Sequence, residues 1–317
     1  MAVLTVFVVP SPHAREFRRT ASKGGVGFKA RWNQLDGAGM VLGVAGLVLI
    51  NFAWNQGPVV GWTTPYTYFI LIIGFLIVFA FCYVECRAAS PLIPLDAMTR
   101  DTLFVLACIG FGWSCFGIWT FYTWQILEVE RHLTPLLATA QFSPVAVSGF
   151  TAAVLTGLLL HKVGPQRTML ISMIAFTTGV CLMAFAPVNQ IYWAQTFVSI
   201  LVMPWGMDMS FPSATIIMSN SVKREHQGVA ASLVNTVVNY SISIGLGIAG
   251  TVETRQNNGG LDVLKGYRSA YYVGIGLAGT GVIVAALFVF LTHLDEKKAR
   301  SEDEKAAGSD VERPPNA

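Results

Sequence analysis

Eight stretches of this chain are each long and apolar enough to cross a lipid bilayer, and this restricts the fold more than any other feature. A crossing helix needs about 20 mainly apolar residues. The stretches run at about 37–56, 66–85, 102–124, 136–160, 168–186, 192–218, 229–252 and 269–291. Lipid offers no hydrogen bonds, so each backbone N–H and C=O there must be satisfied internally, which leaves helices or closed barrels. The expected class is an all-α membrane protein with eight transmembrane helices.

Charge placement agrees. Only 12% of the 317 residues are charged, against roughly 25% in a soluble domain. Residues 1–36 and 292–317 hold 20 of the 39 charged side chains, leaving 19 for the 255 residues between. So apolar a middle excludes a cytosolic enzyme, a nucleic-acid binder and a disordered chain.

The basic residues supply a topology. Cytoplasmic loops collect Lys and Arg. If the eight segments alternate in direction, 17 of the 21 Lys and Arg residues fall on the side that carries both termini. The other side holds Arg131, Arg255, Lys265 and Arg268. Both termini are therefore expected in the cytoplasm. The plasma membrane is the expected location, with the vacuolar membrane as the alternative.

Catalytic and cofactor signals are weak. Five cysteines lie in or beside apolar stretches without metal-ligand or disulfide spacing. The five histidines fall in loops or termini, away from any catalytic pairing. Two matches to G-x-G-x-x-G, at Gly245–Gly250 and Gly274–Gly279, sit inside apolar runs. A dinucleotide fingerprint needs a preceding strand, whereas small residues inside a span let helices approach. No cofactor, metal or enzymatic activity is expected.

A charge inside a span is costly and marks a functional candidate. Asp208 is the one charge well inside a span, within MPWGMDMSFPSAT. Pro204 and Pro212 lie four residues to either side, and each frees the carbonyl four residues back. With Gly206 they predict a broken helix lining a polar cavity. Low-dielectric surroundings disfavour a bare carboxylate, so Asp208 is the candidate for proton or substrate coupling. The competing reading is a protonated side chain that only locks helices together.

Ser232, Asn235, Asn239 and Ser243 recur on one helical face. The first three are candidate cavity-lining residues, and interhelical hydrogen bonding is the alternative. Trp113, Trp119 and Trp124 make the third segment aromatic. Trp119 and Trp124 suit an interfacial anchoring belt. The deeper Trp113 is a candidate ligand contact. A mainly apolar cavity with few polar groups suits an amphipathic organic substrate.

Two terminal features remain. Val3–Val9 is apolar but only seven residues long, so it reads either as the end of a longer span or as a disordered start. Residues 292–317 are charged, mixed in sign and end near two prolines. They are expected to form a disordered cytoplasmic tail.

The loop GLLLHKVGPQR, Gly157 to Arg167, is similar to the cytoplasmic loop signature G-x-L-a-D-r-x-G-r-k of the major facilitator superfamily. Gly157, Leu159, Lys162 and Gly164 fit, and Arg167 adds a charge at the end of the loop. His161 and Pro165 replace the signature's Asp and Arg, which puts its gating ion pairs in doubt here. LLATAQFSPVAVSGF, YWAQTFVSILVMPWGMDMSFPSATIIMSN and REHQGVAASLVNTVVNYSISIGLG resemble the second half of fungal members of the 14-helix drug:proton antiporter branch, the aminotriazole-resistance type.

The resemblance covers about residues 36–291 and implies a division of the chain. Residues 1–36 would be a cytoplasmic segment, with 3–9 the end of a sixth helix. Residues 37–86 would be the branch's extra central pair, 87–101 a cytoplasmic linker, 102–291 the C-terminal six-helix bundle and 292–317 the tail. The chain would then be truncated at its N-terminus. The implied parent function is proton-coupled export of small organic compounds or drugs by alternating access. Its partners would be a small-molecule substrate, protons and the bilayer, with no nucleic acid. The alternative is a non-transporting fragment or pseudo-transporter, because transport needs the missing N-terminal half or a second chain.

Overall fold

A computed structural model describes residues 36–87, 98–222 and 227–311. The stub at 3–9, nearly all of the segment 1–36, residues 88–97 of the linker, and 312–317 lie outside the described residues.

The described residues form an all-helical bundle. Its helices are α1 (Gly37–Val60), α2 (Pro65–Glu85), α3 (Arg100–Gln125), α4 (Pro135–Phe142), α5 (Pro144–Val163), α6 (Pro165–Ala184), α7 (Gln195–Ser221), α8 (Gln227–Gln256) and α9 (Val263–Val311). A π-turn at Ile126–Glu130 extends α3, and a short 3-10 turn at Asn258–Gly260 joins α8 to α9. Proline opens α2, α4, α5 and α6. There its missing N–H costs nothing and its fixed φ suits a first helical turn. Pro144 also divides the fourth apolar stretch into α4 and α5, which together make one span-length unit, Pro135–Val163.

Seven helical units are long and apolar enough to cross a membrane. The eighth expected span, α7, has the length, 27 residues, but is less apolar because Ser, Pro, Trp and Asp208 interrupt it. Burial separates the centre from the edge. Over their most apolar windows 56% of α3 is buried but only 11% of α2. α3 packs against α6, α7, α8 and α9, and α7 packs against α5 and α6. Their shared core holds the fully buried Trp119, Tyr271, Phe176 and Phe288. α1 and α2 form a hairpin that touches the bundle through α1 and α8.

Three expectations need correction. α7 is not broken: it runs continuously through Pro204, Gly206 and Pro212. Packed neighbours tolerate proline within a span by re-satisfying freed backbone groups. Next to the freed Ile200 and Asp208 carbonyls, the Ser148 hydroxyl of α5 donates to the Leu201 carbonyl at 2.5 Å, and that of Ser213 to the Met209 carbonyl at 2.6 Å, which braces α7 at both prolines. Gly206 serves close packing, since a Cβ there would lie 2.7 Å from the Phe176 ring. Trp119 is not part of an interfacial belt. It is fully buried and donates its indole N–H to Ser199 Oγ at 2.7 Å, while Ser199 donates to the Gly179 carbonyl at 2.7 Å. The stretch expected as a disordered tail continues α9 as helix to Val311, because Ala, Glu, Lys and Arg are strong helix formers.

Candidate functional site

Asp208 sits midway along α7, half-buried. Its carboxylate makes no hydrogen bond or ion pair among the described residues. It lies against α5 at Gly149, where a Cβ would stand 3.0 Å from Asp208 Oδ2. The absence of that Cβ gives the carboxylate its space. Beside it opens a cavity of 470 Å³ between α3, α5, α7 and α8.

The cavity brings together four residues singled out from sequence: Asp208, Trp113, Asn235 and Asn239. They come from three helices and are separated by up to 126 positions, yet they line one space. Trp113 donates its indole N–H to Ser210 Oγ at 3.2 Å, so its ring is what it can offer a ligand. The ring is held edge-on to Phe116, with centroids 5.4 Å apart. Asn239 Nδ2 donates to the Asn235 carbonyl at 2.8 Å and to Asn235 Oδ1 at 3.3 Å. The Asn235 Nδ2 donor and the Asn239 Oδ1 acceptor remain available at the exposed edge of the cavity.

Pro212 also lines the cavity, as wall rather than as a helix break. Ser232 does not line it; one turn before Asn235, its carbonyl accepts from Thr236 Oγ1 at 2.9 Å. Ser243 turns to α1, accepting from Asn55 Nδ2 at 2.7 Å and donating to Asn51 Oδ1 at 3.0 Å. The polar stripe therefore divides, with its middle on the cavity and its far end tying helices. Met207, Phe211 and Ile242 supply apolar wall that the sequence reading missed. Phe211 stands three residues after Asp208, so helical spacing alone points it to the same face.

The loop signature forms a separate region. Gly164 joins α5 to α6 with φ +88° and ψ 158°, a conformation suited to glycine. Lys162, Gly164 and Arg167 line a second cavity with α9. Gly157 is exposed, and a Cβ there would meet nothing within 4 Å. At the opposite end Arg131, in the turn after α3, donates to Thr196 Oγ1 at 3.0 Å. Burial pulls its guanidinium below the ordinary value. Of the two glycine motifs, the first packs closely: a Cβ on Gly245 would lie 2.8 Å from Ser114 Cβ, and one on Gly247 would overlap the Trp54 ring, whereas a Cβ on Gly276 or Gly279 would meet nothing within 4 Å.

Helices long and apolar enough to span a bilayer define an integral membrane protein, and the chain belongs to the Major Facilitator Superfamily, whose family model matches residues 30–246 and 102–315. It is 60% identical to the low affinity ammonium transporter of Saccharomyces cerevisiae, over 95% of this chain and 57% of that protein. It is 49% identical to the efflux pump terJ of Aspergillus terreus, over 81% of this chain and 50% of that protein. It is 39% identical to the aminotriazole resistance protein of Saccharomyces cerevisiae, over 85% of this chain and 50% of that protein. The chain spans about half the length of the curated relatives it matches.

Proposed function

We infer that this chain forms the cargo-binding and proton-coupling part of a transporter for small organic compounds that carry a cationic or amine group. The observation that carries the reading is the Asp208 carboxylate, free of protein partners among the described residues and facing a cavity with Trp113, Asn235 and Asn239. A carboxylate in low-dielectric surroundings needs a counter-charge or a proton. A cationic cargo and a proton can satisfy it in turn. Binding of one then displaces the other, which is the elementary step of proton exchange. The Trp113 ring face attracts cations, the free amide groups of Asn235 and Asn239 fix orientation, and the apolar walls accept the remainder of the cargo.

Relatives named as an ammonium transporter, an efflux pump and an aminotriazole resistance protein all fit a nitrogenous or organic cargo. Alternating access rocks two halves around a midplane site. The exposed edge at Asn235 and Asn239 would face the second half. In the cell both termini would be cytoplasmic and the plasma membrane the site of action.

The test joins this chain to the part of the Saccharomyces cerevisiae ammonium transporter that it does not match, and follows methylammonium and aminotriazole flux in membrane vesicles with an imposed pH gradient. Asp208→Asn should abolish gradient-driven flux at unchanged protein level, and Asp208→Glu should restore part of it. Equal gradient-driven flux in Asp208→Asn would remove the coupling role.

A further inference from the structure

A second cavity, of 260 Å³, lies at the end of the bundle that gathers the basic residues. It is formed by the α5–α6 junction and the part of α9 that runs past the expected span. Its charged lining is Lys162, Arg167, His293 and Glu296. Lys162 and Arg167 bring an ammonium and a guanidinium, both hydrogen-bond donors only. His293 offers an N–H in either protonation state. No ion pair joins Glu296 to Lys162, Arg167 or His293, and none of these three cationic or N–H-bearing side chains has a hydrogen-bond partner among the described residues. The crevice thus combines a surplus of positive charge with unused donors. The first backbone N–H groups of α6, which no side chain caps, add to the same field.

Position narrows the ligand further. Val163 and Val289 also line the crevice, so it spans the change from charged to apolar surface. One turn before Lys162 and His293 stand the exposed apolar side chains Leu158 on α5 and Phe290 on α9. A ligand with an anionic head and an apolar body matches this sequence of surfaces.

We propose that the crevice between the α5–α6 junction and α9 binds a phosphate group, carried by an anionic phospholipid of the adjoining leaflet. Lys162 and Arg167 hold the phosphate oxygens and His293 donates a third hydrogen bond. Leu158 and Phe290 receive the acyl chains. Glu296 opposes the anion, setting an affinity that allows exchange with bulk lipid. The site stands apart from Asp208, so it does not rest on the transport reading.

The test uses the purified chain in detergent, with native mass spectrometry counting retained phosphatidic acid, phosphatidylinositol and phosphatidylcholine. The anionic lipids should be retained in preference to phosphatidylcholine. Each basic side chain removed should lower retention by about 5-fold, so Lys162→Gln with Arg167→Gln should lower it by about 25-fold. Glu296→Gln should raise it, an opposite change that a folding defect would not produce. Inorganic phosphate at millimolar concentration separates the two sources. Weak competition supports the lipid, while full displacement identifies free phosphate as the ligand and overturns the lipid assignment. Retention that ignores headgroup charge, or is unchanged in both the double variant and Glu296→Gln, would overturn the site itself.

Discussion

The carboxylate of Asp208 depends on what its neighbour lacks. Gly149 leaves it room, with a Cβ position only 3.0 Å from Oδ2. Gly149→Val should displace the carboxylate and reduce gradient-driven flux severalfold at near-normal protein level. Gly157→Ala on the same helix meets open space and should leave flux unchanged. Comparing the two variants separates crowding at Asp208 from a general effect on α5. A second residue-scale case is the buried relay from Trp119 to Ser199 to the Gly179 carbonyl. Ser199→Ala leaves a buried indole N–H without its acceptor, at a cost of about 1–3 kcal/mol. The midpoint of thermal unfolding in detergent should fall, and an unchanged midpoint would show that the relay contributes little. That Asp208 lines a cavity was legible in the sequence, because a lone charge in an apolar run must be kept from lipid. Trp119 was misread because tryptophans at interfaces and in cores have the same sequence appearance. Only tertiary packing supplied the Ser199 partner.

At the scale of elements, α8 serves two neighbours. Its middle presents Asn235 and Asn239 to the cavity, and its later turns dock α1. Ser243 bonds Asn51 and Asn55, Thr251 accepts from Trp62 Nε1 at 3.1 Å, and Gly247 admits Trp54. Ser243→Ala removes two hydrogen bonds between spans and should cost about 1.2 kcal/mol, at about 0.6 kcal/mol for each. Gly247→Leu should cost more, because it places a side chain where the Trp54 ring sits. Unfolding midpoints for the pair should fall in that order, and the reverse order would contradict close packing as the main tie. The period of the α8 stripe was plain in the sequence. Its division between cavity and docking was not, because Ser243 and Asn239 share a face and differ only in which helix lies opposite. α7 teaches a related lesson. Two prolines around a carboxylate predicted a break, yet a helix surrounded by packed neighbours continues through them.

For the molecule as a whole, the apolar runs located the helical units, because lipid restricts the backbone to so few forms; seven of the eight expected are long and apolar enough to cross a membrane, and α7 has the length but not the hydropathy. The α1–α2 hairpin rests on the flank of the bundle through α8. This leaves the face with Asn235 and Asn239 exposed. The tail was expected to be disordered from its charge, but helix propensity extended α9 to Val311. Arg100 of α3 ties that extension at Asp295, with 2.5 Å between nitrogen and oxygen. Exposed pairs of this kind contribute little, so Asp295→Asn should leave the unfolding midpoint within a degree or two.

The central claim is that one carboxylate exchanges a proton for a cationic cargo. Proton release tests it most directly. The purified chain in weakly buffered detergent solution is mixed with tetraphenylphosphonium, with a pH indicator reporting protons and equilibrium dialysis reporting bound cation, across a series of starting pH values. The native chain should release up to one proton per cation bound, falling to none once the carboxyl is fully ionised, and Asp208→Asn should release none at any pH. Cation binding without proton release in the native chain, or equal release from Asp208→Asn, would contradict the account.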